Sequence, residues 1–326
     1  MVKENTMKSR TDVTLLNALL RGVYVVLLPV LIIFLTGPDA SAAPKIVGII
    51  MTGNIPYYKD VHKSFTETLS AEGFGPGSVE TVVQTPSPEP MSWTNAARKL
   101  VTIGSNIIVS YGAPATIFAM SETSDIPIVF AGVYDPQAVG VTGKNATGVS
   151  SKVPVASILK NLKSISNFST LGVVFNDSEK DTVVQANDVK QLEGTFGFKS
   201  TRFNIKKASD SAKIASVDAL FLTTGCAAMH CVSNIIGVAR KAKIPSAATI
   251  AGGETSGVIL TIAADPHEQG REAAKIVAKV LRGARPASLP VEQPKKIDMI
   301  INLREATDMG LKVPFDLLTS ATKVIR

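Results

Sequence analysis

The sequence predicts an α/β protein of two doubly wound, Rossmann-like lobes, because short apolar segments alternate with amphipathic segments in two successive arrays. The apolar segments are rich in β-branched residues and nearly continuous in apolar character, as in Lys45–Met51. Such composition is typical of parallel strands buried on both faces. The segments between them carry apolar residues every three or four positions, as on one face of a helix. A single large α/β domain is the alternative, but two sets of four or five strands favour two lobes.

The first array predicts four strands separated by helices. The helices carry apolar faces such as Val61, Phe65 and Leu69, and glycines at 73 and 104 are expected to end the first two. The predicted strands are Lys45–Met51, Ser78–Val83, Asn106–Tyr111 and Ile126–Gly132, with a short helix at Pro114–Ser121.

The second array repeats this alternation from residue 170 onward. Helices are predicted at about 179–195, through Ile235, Ile236 and Ala239, and at Pro266–Leu281, which ends at Gly283. The predicted strands are Thr170–Asn176, Thr201–Ile205, Val217–Thr223, Ile244–Thr249, Gly257–Ala263 and Asp298–Asn302, the last followed by a short helix.

Residues 1–43 have the order of a secretory signal peptide. Four basic residues lead into an apolar run, Val23–Leu35, and the small residues Ala40–Ala43 follow. The run is shorter than the roughly 20 residues needed to span a bilayer, so a membrane anchor is disfavoured. We expect cleavage near Ala42 or Ala43 and a periplasmic location, with no stable membrane insertion after cleavage.

Charge and composition exclude several classes of function. The formal net charge is +7, of which one charge belongs to residues 1–43. The remaining lysines and arginines are scattered rather than clustered, so no nucleic-acid partner is expected. No phosphate-binding loop or spaced metal-ligand cluster is present, and we expect neither a cofactor nor a metal.

Cys226 and Cys231 are separated by five positions. They are interpreted either as small buried side chains or, in an oxidising compartment, as a disulfide that would need an irregular segment. Metal ligation together with His230 is disfavoured.

Small and polar residues follow the predicted strands, where parallel sheets bind ligands and helix N-termini expose N–H groups. Helix capping is the alternative role for each of them. Together, on two lobes that face each other, they predict a cleft for a small polar ligand. The tyrosines near strand ends suit an apolar or aromatic part of such a ligand. The candidate ligand-binding residues are Gly53, Asn54, Tyr57, Tyr111, Gly112, Ala113, Ala115, Thr116, Tyr134, Asp135, Asn176, Ser178, Asp181, Thr182, Thr224 and Gly225.

Four segments resemble a known family. Ile126–Pro136, Asn145–Ser150 and Gly172–Asn187 are similar to the "iPivFa…DP", "N-TGvs" and "Gv-yNpsE-NS" elements of ABC-transporter substrate-binding proteins that include tryptophan- and tyrosine-binding members. Glu268–Pro314 is similar to the C-terminal part of that family. The resemblance spans essentially the whole chain after residue 43.

This resemblance implies a type I periplasmic-binding-protein fold, with two lobes joined by three crossovers and a ligand between them. The implied first lobe is 44–146 plus 265–286, and the implied second lobe is 147–264 plus 287–326. The family's Asn-Ser pair falls on Asp181 and Thr182 here, and the acidic residue of its Thr-Asp-Asn element is missing near Thr224. The family's Thr-Pro-Ala-Ala loop corresponds to the segment 112–116.

Three functions are compatible with these observations to different degrees. The first is an exported receptor that closes on a small polar ligand (an amino acid or a related, including aromatic, molecule) and delivers it to the membrane permease and ATPase of an ABC importer. Closure would use hinges near Gly143–Ser150, Ala263–Pro266 and Ala284–Leu289. The alternative is a ligand-sensing receptor for a histidine kinase or chemoreceptor.

Enzymatic activity is the third and least favoured function. An Asp265 and His267 pair with a serine can be imagined, but no nucleophile-elbow motif is present. The glycine-rich run 73–77 lies between a helix and a strand, which is the wrong order for a phosphate cradle. We therefore expect no enzyme.

Overall fold

The structure, a computed structural model, describes residues 43–143, 145–214 and 216–326, which form one sheet of five strands and one of seven. The predicted signal peptide lies outside the described residues, except for Ala43. Within the described part of the chain, no helix is long and apolar enough to cross a membrane.

The first lobe is built on a parallel sheet in the order β2-β1-β3-β4-β5. The strands β3, β4 and β5 are buried along their whole length, which explains the mainly apolar composition of β3 and β4. In chain order the elements are β1 (Lys45–Met51), α1 (Pro56–Ala71), β2 (Val79–Gln84), α2 (Pro90–Thr102), β3 (Ile107–Tyr111), α3 (Ala113–Glu122), β4 (Ile128–Val133), α4 (Pro136–Val139) and β5 (Ala146–Ser150).

The second lobe contains the seven-stranded sheet, in the order β12-β11-β10-β9-β8-β6-β7. Its strands pair in parallel except for β10 and β11, which are antiparallel. The elements up to residue 264 are α5 (Val155–Ile165), β6 (Thr170–Phe175), α6 (Lys180–Gln191), α7 (Glu193–Phe196), β7 (Lys199–Asn204), β8 (Ala219–Leu222), α8 (Cys226–His230), α9 (Val232–Lys241), β9 (Ser246–Ala248) and β10 (Leu260–Ala264). The chain continues through α10 (Pro266–Leu281), β11 (Ile297–Asn302), α11 (Leu303–Asp308), α12 (Phe315–Ser320) and β12 (Lys323–Ile325). Short 3₁₀ helices lie at Ala208–Lys213, Glu254–Ser256 and Pro286–Ser288.

Helix α10 follows a strand of the second sheet but packs on the first lobe. Its apolar residues, including Ala273 and Val277, share one core cluster with Val61 and Phe65 of α1. The two helices approach so closely at Gly270 that a Cβ there would collide with the backbone oxygen of Val61. The first lobe is therefore assembled from two separate parts of the chain.

The chain passes between the lobes at three neighbouring places. After β5 it enters the second lobe, after β10 it returns at Asp265, and before β11 it crosses again. The third passage is bonded to the other two, since Ser150 N donates to Glu292 O at 2.8 Å and Asp265 N donates to Lys296 O at 3.0 Å. Gln269 at the start of α10 also bridges two strands, accepting from Gly132 N and donating to Ser150 O, each at 2.9 Å.

Several segments differ from the sequence predictions, among them β12, which was not predicted. Ala146–Ser150 was expected to straddle the lobe boundary at 146/147, but the whole segment pairs with β4 as the edge strand of the first sheet. Helix α5 was not predicted, although its buried residues Val155, Ile158, Leu159, Leu162 and Ile165 have helical spacing.

Candidate functional site

The order in which successive strands are added to each sheet reverses at β1/β3 in the first sheet and at β6/β8 in the second. Doubly wound sheets bind their ligands at such switch points. The loops at the carboxyl ends of these strands face each other across the lobes. Gly53, after β1, lies against Cys226 at the start of α8, and a Cβ on Gly53 would overlap the Cys226 Sγ and lie 3.1 Å from His230 Cε1. We call the region between these loops the interlobe cleft.

The first-lobe wall of the cleft is centred on Thr52. Its hydroxyl donates to Tyr111 O at 2.8 Å and accepts from Ala115 N at 3.3 Å, and its carbonyl accepts from the Trp93 indole at 2.7 Å. Gly112, the residue before α3, has φ +90°, and a Cβ there would overlap the Tyr58 hydroxyl. Glycine is therefore required at this position by both conformation and space.

Tyr58 of α1 faces the second lobe. It is buried, and its pKa is raised by burial and then by the neighbouring Cys226, Asp181 and Glu179. Tyr58 was not among the predicted site residues. Its position inside a helix, one turn after the strand-end loop, hid its proximity to the second lobe.

The second-lobe wall contains a buried hydrogen-bond network around Gln185 of α6. The Gln185 amide donates to Thr224 Oγ1 at 2.9 Å, and its oxygen accepts from Thr224 N at 3.1 Å and from Thr249 Oγ1 at 2.9 Å. Thr224 Oγ1 in turn donates to Asp181 Oδ2 at 3.1 Å. Gln185 was not predicted, although it lies one helical turn after Asp181 and therefore on the same face.

Glu179 links this wall to α8. Its carboxylate accepts from Cys226 N at 2.7 Å, from Ala227 N at 3.0 Å and from the Asn176 amide at 3.2 Å. The Thr182 hydroxyl donates to Asn176 O at 2.7 Å and so stabilises the loop between β6 and α6. Gly225 packs beside the Thr182 methyl group. Glu179 was absent from the predicted site residues; its place in the Asn-Asp-Ser-Glu segment after β6 was the available signal.

The electrostatics of the cleft are set by two buried carboxylates. Burial, with a smaller contribution from Asp181, raises the pKa of Glu179 to about 7 against the opposing backbone and amide donors. Burial likewise raises the pKa of Asp181 to about 6, with the Thr224 hydroxyl opposing. Burial and then Glu179 and Asp181 also raise the pKa of the Cys226 thiol, so this cysteine is a poor nucleophile.

Five predicted site residues are thus brought together on the second lobe: Asn176, Asp181, Thr182, Thr224 and Gly225. On the first lobe, Gly53, Gly112 and Ala115 lie around Thr52 and Tyr58, and Ala113 begins the same helix as Ala115.

Other predicted residues have different surroundings. Asn54 is exposed. Thr116 bonds within its own lobe to Ser110 and Gly112. Tyr111 packs inside the first lobe, where its hydroxyl meets His62 Nδ1 at 3.2 Å. Ser178 is partly buried and bonds to the side chain of Asp177 at 3.3 Å.

The remaining predicted residues lie towards the crossovers or on the lobe contact. Tyr57 is buried, and its pKa is raised by burial and then by Asp265 and Glu268 near the second crossover. Tyr134 donates to Asp188 Oδ2 of α6 at 3.0 Å. Asp135 caps α4 and pairs with Lys152 at 2.6 Å, which lowers its pKa although burial opposes this shift.

The cysteines and histidines are held by local contacts: His230 Nδ1 lies 3.7 Å from Cys226 Sγ and 2.9 Å from Cys226 O. Cys226 and Cys231 are both free and buried. Ser64 Oγ lies 2.8 Å from His267 Nδ1, but the Asp265 carboxylate binds the backbone N–H of His267 and the Lys296 ammonium instead of the imidazole. Among the described residues, no group of three or more His, Cys, Asp and Glu is arranged to hold a metal ion.

Two interlocked α/β lobes that meet at their switch points define the type I periplasmic-binding-protein architecture, a class of solute-binding proteins. The sequence model described as "ABC transporter substrate binding protein" matches residues 47–325. The chain belongs to this family, whose members are exported solute-binding proteins and not enzymes.

Known proteins agree with this assignment. A curated relative, the tyrosine-binding protein of Clostridioides difficile (strain R20291), is 23% identical over 275 residues, which are 80% of each chain. An ABC domain from Streptococcus pneumonia solved in complex with L-Trp has a TM-score of 0.82 at 22% identity, covering 87% of this chain and 100% of that one.

Two further structures extend the comparison. A conserved domain protein from Vibrio cholerae has a TM-score of 0.82 at 26% identity, covering 86% of this chain and 99% of that one. A ligand-free, open substrate-binding protein from Clostridium difficile has a TM-score of 0.62 at 23% identity, with the same coverage. This chain is thus more similar in fold to the L-Trp complex than to the open structure.

Proposed function

We propose that the protein binds a small polar ligand, an amino acid or a related zwitterion, in the interlobe cleft and delivers it to the permease and ATPase of an ABC importer. The observation that carries the proposal is the buried network of Asp181, Gln185 and Thr224, the last of which lies two residues before Cys226, the second-lobe residue that contacts Gly53 of the other lobe. A carboxylate surrounded by neutral donors is suited to a ligand ammonium group.

The relatives support an aromatic side chain on the ligand. One is named a tyrosine-binding protein, and a structural relative was solved with L-Trp. In this chain Tyr58 supplies an aromatic surface on the first-lobe wall, stacked at 6.4 Å on Tyr111. Aromatic amino acids are therefore the first ligands to test.

The experiment is a thermal-shift screen of residues 44–326 against amino acids, aromatic metabolites, nucleosides and sugars. A ligand that binds only the folded state stabilises it by roughly 2.7 kcal/mol at a hundredfold excess over Kd, so it raises Tm. We expect L-tyrosine or L-tryptophan to produce the shift. A shift only with nucleosides or sugars would contradict the proposed ligand class.

Two variants make the screen specific to the site. Asp181→Asn removes the buried charge and is expected to abolish the shift, whereas Asp177→Asn removes an exposed carboxylate of the same loop, paired with Lys206, and is expected to retain it. Loss of the shift in both variants would show that the loop, and not the Asp181 charge, is required.

The transport part of the proposal needs a cellular measurement. In cells lacking the native protein, the full chain should restore uptake of the radiolabelled ligand, and the Asp181→Asn variant should not. Export follows from residues 1–43, and N-terminal sequencing of the exported protein should begin near residue 43 or 44. Binding without restored uptake would favour a sensing role.

A further inference from the structure

The second-lobe wall of the interlobe cleft contains two carboxylates that have no positively charged partner among residues 43–143, 145–214 and 216–326. Asp181 and Glu179 are each only 1% exposed. Among the described residues, neither forms an ion pair with Lys, Arg or His, although other acidic residues of the second lobe do so. Their partners are neutral: the Thr224 hydroxyl, the Asn176 amide and the backbone N–H groups of Cys226 and Ala227.

The charged and titratable groups around this pair are few. From α1 of the opposite lobe comes the Tyr58 ring, and from α8 comes the Cys226 thiol, whose neighbour His230 lies on the exposed rim with its Nδ1 bonded to Cys226 O. Lys180, between the two acids in the sequence, reaches in another direction and donates to Val139 O at 3.0 Å. Within the described part of the chain, no nearby Lys or Arg therefore offsets the two negative charges.

The first lobe packs against the part of the second lobe that holds the pair, since Gly53 contacts Cys226, whose N–H binds Glu179. Every hydrogen bond of Asp181 and Glu179 comes from the second lobe, so these bonds persist when the lobes separate. The first lobe adds an apolar cover at this place, because Tyr58 shares a core cluster with Cys226 and Gly53 contacts the Cys226 thiol. This cover removes water and adds no charge, so it disfavours the ionised carboxylates.

We propose that Asp181 and Glu179 act as an electrostatic gate: the lobes close readily only when the pair is neutralised, either by a cationic group of the ligand or, without ligand, by a proton. The gate rests on the proposed function, because the ligand is taken to lie in the interlobe cleft. It deepens that function by making a positive charge on the ligand the condition for closure.

The direction of the pH dependence follows from linkage. Burial raises the pKa of both carboxyl groups in the structure, where the lobes are in contact, so this state binds protons more tightly than a state in which the pair is hydrated. Closure of the ligand-free protein is therefore favoured below the ordinary carboxyl pKa values and is lost as pH rises to about 7. A ligand ammonium group has the opposite effect on protonation. It stabilises the ionised carboxylates, so Asp181 and Glu179 release protons when the ligand binds.

The first experiment follows closure without any ligand, by small-angle X-ray scattering of the full mature chain between pH 5 and pH 8. We expect the radius of gyration to decrease as pH falls below about 7 and the closed-to-open ratio to rise at least tenfold over this range. Circular dichroism at each pH verifies that the protein remains folded. A radius of gyration that does not change with pH would overturn the gate.

Two variants separate the gate from a general effect of pH. Asp181→Asn should be closed already at pH 8 without ligand and should lose most of the pH dependence. Asp177→Asn, whose carboxylate is exposed and paired with Lys206, should behave as the wild type. An Asp181→Asn variant as open as the wild type at pH 8 would also overturn the proposal.

A second experiment tests the role of the ligand charge. Calorimetric titration with L-tyrosine near pH 6.5, in buffers of different ionisation enthalpy, should show proton release on binding, and tyramine should close the cleft where 3-(4-hydroxyphenyl)propionate does not. Proton uptake on binding would contradict the gate. If no aromatic amino acid binds while the ligand-free protein still closes with falling pH, the ligand assignment fails and the gate stands.

Discussion

At the scale of single residues, one missing side chain sets how closely the lobes approach. Gly53 belongs to the first-lobe wall, and a Cβ there would overlap the Cys226 thiol of the second lobe. The backbone at Gly53 does not have a positive φ, so alanine would meet steric conflict only across the interlobe cleft. A substitution of Gly53 therefore alters the contact between the lobes without altering the fold of either lobe.

We predict that Gly53→Ala weakens ligand binding about tenfold or more, because overpacking of about 1–3 kcal/mol would oppose closure. The stability of the ligand-free protein should change little. Quenching of Trp93, the only tryptophan, during titration with L-tyrosine would measure the affinity.

The matched change is Cys226→Ala in the Gly53→Ala background, which removes the colliding sulfur and should restore affinity. Gly237→Ala, on a helix where the new methyl group meets no atom within 4 Å, should leave binding unchanged. Unaltered affinity in Gly53→Ala would show that the lobes do not need this contact to hold the ligand.

A second glycine affects folding itself. Gly112 has φ +90°, and its Cβ would lie 2.6 Å from Thr52 Oγ1 and still nearer to the Tyr58 hydroxyl. We predict that Gly112→Ala lowers the free energy of unfolding by about 2 kcal/mol or more, from backbone strain and overpacking together. Urea denaturation would measure this loss.

Gly104→Ala is the comparison for that measurement. Gly104 also has a positive φ, +72°, but its added Cβ would meet no atom within 4 Å. Its cost should be about 1 kcal/mol, from the left-handed conformation alone. Equal losses in the two variants would mean that the contacts around Gly112 contribute nothing.

The residues of the candidate site were only partly predictable. Polar residues directly after strands, such as Asn176 and Thr224, are found by the rule that parallel sheets bind ligands at their carboxyl ends. Gln185 and Tyr58 lie inside helices, and their role depends on which helix face turns to the cleft. Tyr111 shows the opposite failure: it ends a strand, yet its ring points into the first-lobe core.

At the scale of elements, the start of α10 joins the two lobes. Asp265 caps this helix by accepting from His267 N at 2.7 Å and from Glu268 N at 3.3 Å, and it pairs with Lys296 of the third crossover. Burial opposes ionisation of Asp265, but the Lys296 hydrogen bond and the backbone donors outweigh it, so its pKa is lowered. The charged form is therefore the one that stabilises the fold.

We predict that Asp265→Ala costs about 1–2 kcal/mol of stability at pH 7, as expected for loss of a helix cap. Because the pKa is lowered on folding, this contribution is present above the ordinary pKa of aspartate and is lost as pH falls below about 3.8. Urea unfolding at pH 7 and at pH 3 should show the difference between wild type and variant shrinking at the lower pH.

Asp265→Asn keeps an oxygen for the helix N–H groups and should cost less than the alanine variant. A loss as large as that of alanine would assign the stabilisation to the ion pair with Lys296 rather than to the cap. A loss in Asp265→Ala that is unchanged at pH 3 would contradict the role of the ionised carboxylate.

The elements with regular periodicity were predicted well. Lys45–Met51 and Pro266–Leu281 have the same limits in the sequence prediction and in the structure. The edge strand Ala146–Ser150 has a glycine, a serine and a threonine among its five residues, so its composition does not identify a strand. The segment is a strand because it pairs with β4, and strand pairing cannot be read from a single sequence.

At the scale of the whole molecule, the chain order and the lobes do not coincide. The first sheet is complete at Ser150, but one face of it is covered by α10, which follows more than a hundred residues later. Ala273 and Val277 of α10 pack with Val61 and Phe65 of α1 in one core cluster. The first sheet without α10 would expose this apolar surface to water.

We therefore predict that residues 44–151 alone do not fold cooperatively, whereas the same segment joined by a flexible linker to residues 265–289 does. Restoring α10 buries the apolar side chains of α1 and the sheet, which at about 25 cal/mol per Å² is the main stabilising term available to the lobe. Urea unfolding monitored by circular dichroism and by Trp93 fluorescence would compare the two chains. A fused chain carrying Gly270→Leu should fail to fold, because the close approach of α10 to Val61 O requires glycine. Cooperative unfolding of residues 44–151 alone would show instead that the sheet and its sequential helices suffice, and that α10 serves only to connect the lobes.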